Sequence, residues 1–242
     1  MGELWFRVKE FFGFSRREKQ DLLLAVIVLG FAFGFNDGRD SFVLGAWLGH
    51  LITSLVFVAI AMIVHVSVQK IFALQQGFTS EFRGWPTGLI VTIIIALLSK
   101  GNLYVLLPGG MVLYHMTILR IGKFRHGENV VARGMIAASG PAANLVLGTI
   151  GVMFASQLGI MPEFFDYFRN VNFWIMLYSL LPIPRMDGIH LFFMSRLTYV
   201  FIFSTGLAYF LLLLVNVESW ILSLLIGVIC WFLFMIYVEK NV

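Results

Sequence analysis

Long apolar runs, separated by short polar stretches, make up most of this chain. The runs LVFVAIAMIV and ILSLLIGVICWFLFMIYV contain no charged residue. A helix can place such a run in lipid, because it pairs its own backbone N–H and C=O groups. We therefore predict membrane helices. The apolar segments lie at 22–35, 42–64, 87–99, 103–118, 134–160, 171–183, 189–215 and 219–238.

This pattern predicts an all-α polytopic membrane protein with about six to eight apolar segments. A helix needs about 20 apolar residues to cross the hydrocarbon core of a bilayer. The two segments within 87–118 and the segment 171–183 are shorter than that. We expect the pieces near 87–118 to be re-entrant or to form a hairpin.

The N-terminal stretch differs from the remainder of the chain. Residues 1–20 mix aromatic and basic side chains, a composition that suits a helix lying in the headgroup region of a membrane. We therefore expect 1–20 to be an interfacial amphipathic segment. Residues 21–242 contain no repeat or flexible linker, which predicts a single transmembrane domain.

Composition and charge narrow the possible partners. Hydrophobic residues make up 60% of the chain and charged residues 12%, with a formal charge of +4. The basic residues are scattered beside apolar segments, as in proteins that they orient in a bilayer, so the lipid bilayer is the expected partner and nucleic acid is rejected. With both termini in the cytoplasm, three basic residues fall outside and the others on or near the inner side. The three are Arg39, Lys100 and Arg169.

Polar side chains end one of the longest apolar segments. His65 and Gln69 are four residues apart, in the letters HVSVQ, and so lie on one helix face. In the metallohydrolase pattern H-E-x-x-H the same spacing lets two imidazoles hold zinc, while the glutamate takes a proton from the metal-bound water. Taken alone, a single histidine at a helix end is more typical of a hydrogen-bonded structural residue.

Two further stretches carry polar residues among apolar segments. Asp187, in SLLPIPRMDGIH, is costly in such surroundings and is a functional candidate, or else a cap for the next helix. Asn144, in ASGPAANLVLG, offers amide donors and an acceptor, although the small residues before it also suit close helix packing.

In this order, these pieces resemble the site-2 protease family of intramembrane zinc metalloproteases, particularly its short archaeal-type members. HVSVQKIFALQQGF stands where that family has H-E-x-x-H and the helix after it. SEFRGWP and LLPGG look like the following loop and hairpin. SGPAAN looks like its G-P-x-x-N segment, and SLLPIPRMDG like its N-x-x-P-x-x-x-x-D-G. The stretch SRREKQDLLLAVIVLGFAF looks like its first membrane helix, so the resemblance implies a site-2-protease-like helical core.

The resemblance also implies roles for particular positions. In active members, two histidines and the later aspartate bind zinc, the glutamate is the general base, and asparagines assist the substrate peptide or the developing oxyanion. The metal positions here are His65, Gln69 and Asp187, and the substrate-binding positions are Asn144 and Ser179. Three positions depart from the pattern, because a valine, a glutamine and a serine replace the base, the second histidine and an asparagine.

These departures predict an inactive homologue. Val66, at the base position, cannot accept a proton, and the loss of a positioned base costs on the order of 10²–10⁴ in rate. Gln69 offers only a neutral amide oxygen, whereas catalytic zinc generally has three strong protein ligands. We expect zinc to be absent or weakly bound. The leading hypothesis is a pseudoprotease that binds or holds membrane peptide segments or a transmembrane partner.

Two other functions remain open at this point. His190 could replace the missing histidine, which would give an active intramembrane zinc metallopeptidase with altered ligands. Alternatively, isolated polar residues could line the path of a small transporter or channel. A basic stretch containing His115 and His126 is expected to form an interfacial loop that contacts anionic lipid.

Overall fold

The computed structural model describes residues 2–39, 41–116 and 129–239. The stretch around His126, predicted to be an interfacial loop, lies outside these ranges. The described part of the chain is mostly helical. Its α-helices are α1 Gly2–Phe11, α2 Arg16–Gly34, α3 Leu44–Gln75, α4 Pro86–Leu98, α5 Val130–Val152, α6 Pro162–Ser179, α7 Asp187–Met194, α8 Arg196–Leu214 and α9 Trp220–Tyr237.

The mostly helical fold agrees with the predicted all-α membrane protein, and one small sheet accompanies the helices. Strands β1, Phe78–Gly84, and β2, Gly109–His115, pair antiparallel along their whole length. Helix α4 lies between them in sequence, so the expected hairpin near 87–118 is a strand pair that begins earlier and encloses a helix. Gly109 ends the pair with φ +112°, and a Cβ there would lie 2.2 Å from the Arg83 carbonyl oxygen. Only glycine fits that position.

Four helices of the described ranges are long and apolar enough to cross a bilayer. They are α3, α5 with the π-helical turn Met153–Gln157 that continues it, α8 and α9. The predicted count of six to eight is not supported. Helix α4 has only 13 residues. The predicted segment 171–183 comprises the second half of α6, which runs from Pro162 to Ser179, and the first residues of the turn after it. This architecture fits an integral membrane protein.

The N-terminal region forms two helices joined by a short connection. Ser15 begins α2 with a capping box, because its hydroxyl accepts from Glu18 N–H and the Glu18 side chain accepts from Ser15 N–H. Helix α1 lies at the far end of α3, where Arg7 Nη1 donates to the Leu74 carbonyl over 2.9 Å. The predicted segment 1–20 therefore contains all of α1 and the first turn of α2 rather than one continuous helix.

A buried ion pair joins α2, α3 and β1. Lys70 Nζ lies 2.7 Å and 3.0 Å from the two carboxylate oxygens of Glu18, and both side chains are almost fully buried. Lys70 also donates to the Ser80 carbonyl over 3.0 Å, and Phe82 N–H donates to Glu18 over 2.9 Å. The pair thus fixes the first strand to the helix that carries His65.

At the end of the bundle away from the Glu18–Lys70 pair, the C-terminal ends of α2 and α4 lie close together. Asn36 Nδ2 donates to Asn102 Oδ1 over 2.9 Å, and the Tyr167 hydroxyl donates to the Phe33 carbonyl over 3.2 Å. The three basic residues predicted to lie outside follow or neighbour these positions: Arg39, Lys100 and Arg169. They share one end of the molecule, and which side that end faces stays a prediction.

Candidate functional site

The structure brings together two of the predicted site residues that lie 122 positions apart. His65 Nε2 is 2.9 Å from Asp187 Oδ2, and the two side chains are 6% and 3% exposed. The contact joins the C-terminal third of α3 to the first residue of α7. An imidazole and a carboxylate thus meet inside the helical bundle, as the resemblance implies.

The turn before α7 sets the position of the carboxylate. Met186 N–H donates to the Ile183 carbonyl over 3.0 Å, and Arg185 has a left-handed backbone with φ +69°. A Cβ at Gly188 would lie 2.0 Å from the Leu180 carbonyl oxygen, so only glycine lets α7 begin this close to the end of α6. Asp187 is thereby aimed at α3 by tightly packed backbone.

The alternative role of Asp187 as a helix cap is wrong. The N-cap residue of α7 is Met186, which makes no side-chain cap hydrogen bond. Asp187 Oδ2 lies at the imidazole, while its Oδ1 is buried and meets no hydrogen-bond partner within the described chain. The carboxylate is therefore committed to His65 rather than to backbone N–H groups.

Helix α5 packs directly on the face of α3 that carries the polar residues. A Cβ at Gly140 would lie 2.3 Å from His65 Nε2 and 2.7 Å from Gln69 Nε2. His65 and Gln69 thus share one helix face, as their spacing predicts. Gly140 also agrees with the packing interpretation of the small residues before Asn144.

Proline in α5 explains what Gln69 contacts. Pro141 has no N–H, so it cannot donate to the carbonyl four residues earlier, that of Ala137. Gln69 Nε2 donates to this Ala137 carbonyl over 3.5 Å. The amide therefore supplies a donor for a carbonyl that the proline leaves without its helical partner.

The two predicted substrate-binding residues are both buried but differ in their bonding. Asn144 lies one turn after Gly140 on the same face, and within the described ranges neither its amide nitrogen nor its oxygen has a hydrogen-bond partner. Ser179 Oγ donates to the Met176 carbonyl over 2.8 Å in its own helix. The Asn144 amide thus makes no hydrogen bond to the described residues, whereas the Ser179 hydroxyl already donates its hydrogen within its own helix.

His190 is the residue proposed as a replacement ligand. Its side chain lines a large cavity that Arg133 also lines. Burial lowers the pKa of His190, the negative charge of Asp187 partly opposes this, and Arg133 lowers the pKa further. Among the residues that the structure describes, no three His, Cys, Asp or Glu side chains are grouped closely enough to hold a metal ion.

The donor set at His65 does not fit a catalytic zinc ion. His65 Nε2 and Asp187 Oδ2 are hydrogen-bonded to each other. Gln69 directs its amide nitrogen at the Ala137 carbonyl and could offer a metal ion only a neutral amide oxygen. Val66, at the position of the general base, is 2% exposed and packs in the apolar core. Three strong ligands and a nearby proton acceptor are what such a site needs.

Two features near the site were not found from the sequence. One is the Glu18–Lys70 pair, which a lysine directly after Gln69 in an apolar run could have signalled, since a buried charge needs a partner. The other is a cavity of about 750 Å³ lined by four arginines. No local signal marks it, because its arginines come from four separate parts of the chain. They are Arg17, Arg83, Arg133 and Arg185.

Comparison with known proteins gives one informative similarity. The chain matches no protein-family model and no solved structure. It is 29% identical over 182 residues to a protein of Methanocaldococcus jannaschii named "Putative zinc metalloprotease", a match that covers 73% of this chain and 84% of that protein. The similarity, together with the membrane helices, is consistent with a site-2-protease-like family.

Proposed function

We propose that this chain is a catalytically inactive, site-2-protease-like membrane protein that binds or holds membrane peptide segments. One observation carries the proposal. His65 and Asp187 meet at 2.9 Å as in a ligand pair, yet Val66 and Gln69 stand where a base and a second imidazole are needed. The scaffold of the site is thus present while the groups that perform hydrolysis are absent.

The missing groups reduce the rate through separate steps. Val66 has no proton acceptor, and the lack of a general base at this position lowers the rate of hydrolysis by a factor on the order of 10²–10⁴. Without a third strong ligand, a metal ion is held weakly and no longer makes its bound water acidic. Because the two defects affect different steps, their costs multiply.

The buried amide of Asn144 supports a binding role. An unpartnered buried polar group costs about 1–3 kcal/mol, so a protein gains by keeping one only where something else pairs with it. The backbone N–H and C=O groups of a peptide that enters as an extended or unwound segment are suitable partners for both atoms of this amide. Binding of such a segment would satisfy the amide without any catalysis.

Restoration of the missing groups tests the inactivity. A variant that combines Val66→Glu, Gln69→His and Ser179→Asn is compared with the parent for cleavage of a membrane-peptide reporter. We expect no cleavage by the parent and measurable cleavage by the triple variant, abolished when Asp187→Ala is added. Cleavage by the parent that stops in Asp187→Ala would overturn the proposal.

A crosslinking experiment tests the binding role separately. A photoreactive transmembrane peptide is incubated with the parent, with Asn144→Leu and with Asn172→Leu in lipid nanodiscs. Asn172 is a matched control for the amide nitrogen, because it is also fully buried and its nitrogen already donates to the Phe168 carbonyl over 2.9 Å, while its oxygen, like that of Asn144, has no partner among the described residues. We expect Asn144→Leu to lower the crosslinking yield and Asn172→Leu to preserve it. Equal yields from all three proteins would contradict peptide binding at Asn144.

A further inference from the structure

The arginine cavity is a concentrated patch of positive charge. It has a volume of about 750 Å³, and among the residues that the structure describes its charged lining consists of four arginines and one acid, Asp21, with His190 beside them. Asp21 Oδ2 already accepts from Gly84 N–H over 3.3 Å, so part of its charge is used within the fold. The lining therefore has an excess of cationic hydrogen-bond donors.

Regular or tightly packed backbone positions these arginines. Arg17 lies in the first turn of α2, Arg83 in β1 and Arg133 in the first turn of α5. Arg185 lies in the left-handed turn before α7, where a Cβ at Gly110 would lie 2.6 Å from its carbonyl oxygen. Their backbones are thus fixed before any ligand arrives, which lowers the entropy cost of binding.

One guanidinium is incompletely paired. A hydrogen bond with Tyr114 raises the pKa of Arg83, burial partly opposes this, and the ion pair with Glu81 raises it as well. Its Nη1 is nevertheless buried and meets no hydrogen-bond partner in the part of the chain described here. The side chain as a whole is 25% exposed, and an anion that enters the cavity would give this one nitrogen a partner.

We propose that the arginine cavity binds a phosphate group. Several oxygens that share more than one negative charge can pair with two or three guanidinium forks at once, which a single carboxylate cannot do as well. Met111 and Leu113 of β2 line the same cavity and give it an apolar wall beside the cationic one. That combination suits the phosphate monoester of a phospholipid such as phosphatidate, and free phosphate could accept hydrogen bonds from the same arginines.

The position of the cavity agrees with a lipid source. Arg17 and Arg133 lie where α2 and α5 begin, at the end of the bundle opposite Asn36 and Asn102. Helix ends are where membrane proteins meet phospholipid headgroups. This assignment concerns residues outside the His65–Asp187 pair, so it does not depend on whether the chain is an active protease.

Neighbouring arginines provide a matched test. Arg17→Gln removes a cavity arginine, and Arg16→Gln removes the adjacent charge, which does not line the cavity. Arg185→Asn removes a second cavity arginine with a residue that tolerates the left-handed backbone. The full chain is titrated in detergent with phosphatidate and with phosphatidylcholine by native mass spectrometry, and in phosphatidylcholine nanodiscs with inorganic phosphate by calorimetry.

We expect phosphatidate to bind more tightly than phosphatidylcholine, with Arg17→Gln and Arg185→Asn each weakening it about tenfold. Arg16→Gln should change the affinity by less than about twofold. The same variant pattern with inorganic phosphate would support the site with a soluble phosphate as its source. Failure of both phosphate probes to bind, or an equal effect of Arg16→Gln, would overturn the proposal.

Discussion

Replacement of Gly140 by alanine tests how closely α5 packs on the polar face of α3. The added Cβ would lie 2.3 Å from His65 Nε2, 2.6 Å from His65 Cδ2 and 2.7 Å from Gln69 Nε2. These contacts are closer than van der Waals packing allows, so either the two helices separate or the imidazole moves away from Asp187.

The expected magnitude follows from three contributions. Alanine gains about 1 kcal/mol over glycine from helix propensity alone. Overpacking of a closely packed interior costs about 1–3 kcal/mol, and displacement of His65 from a buried carboxylate costs about 1–3 kcal/mol more. The sum is a net destabilisation of about 1–5 kcal/mol. For a chain of this size, each kcal/mol lowers Tm by about 2–4 °C.

Gly49→Ala is the matched control. Gly49 lies in the N-terminal part of α3, and a Cβ there would meet no atom within 4 Å. The same substitution should therefore leave Tm unchanged or raise it slightly. Both variants and the parent are compared by thermal unfolding in one detergent at one protein concentration. Equal Tm values for the two variants, or a higher Tm for Gly140→Ala, would refute the packing described for His65 and Gln69.

Two further predictions concern buried charge. Glu18→Gln leaves Lys70 without its counter-charge and should lower the free energy of unfolding by about 3–5 kcal/mol. Adding Lys70→Met to this variant should recover much of the lost stability. Equal Tm values for the single and double variants would contradict the pairing. Because burial, helped by Arg133 and opposed by Asp187, holds the pKa of His190 below 6.5, the unfolded chain protonates first as pH falls. Tm should therefore decrease as pH falls from about 6.5 through the folded-state pKa, and this decrease should be smaller in His190→Gln. Identical Tm profiles of the parent and His190→Gln between about pH 7.5 and pH 5 would contradict this prediction.

The parts of the fold that could be predicted from the sequence rest on local patterns. Uninterrupted apolar runs predict membrane helices because a helix satisfies its own backbone, and the structure forms α3, α8 and α9 from such runs, each long and apolar enough to cross a bilayer. The spacing of His65 and Gln69 predicts a shared face because residues four apart lie about one turn apart on a helix. The contact between His65 and Asp187 is not local; the order of the resembling motifs and the predicted topology, which puts both residues on one side of the membrane, indicated it.

What the sequence did not predict depends on contacts between distant residues. Strands β1 and β2 pair across the whole of α4, and half of β1 is polar, so no alternation of apolar residues marks it. The Glu18–Lys70 pair joins positions 52 residues apart, and four arginines reach one cavity from separate elements. Such contacts are set by how the helices pack and leave no periodic signal.

Zinc content of the purified, unmodified chain tests the central claim most directly, namely that the His65–Asp187 pair lacks the ligands to hold a catalytic metal ion. The protein is purified in mild detergent without chelator, and its zinc is measured by plasma mass spectrometry beside that of Asp187→Ala. We predict far less than one zinc ion per chain, with no difference between the two proteins. One zinc ion per parent chain that is lost in Asp187→Ala would contradict the account.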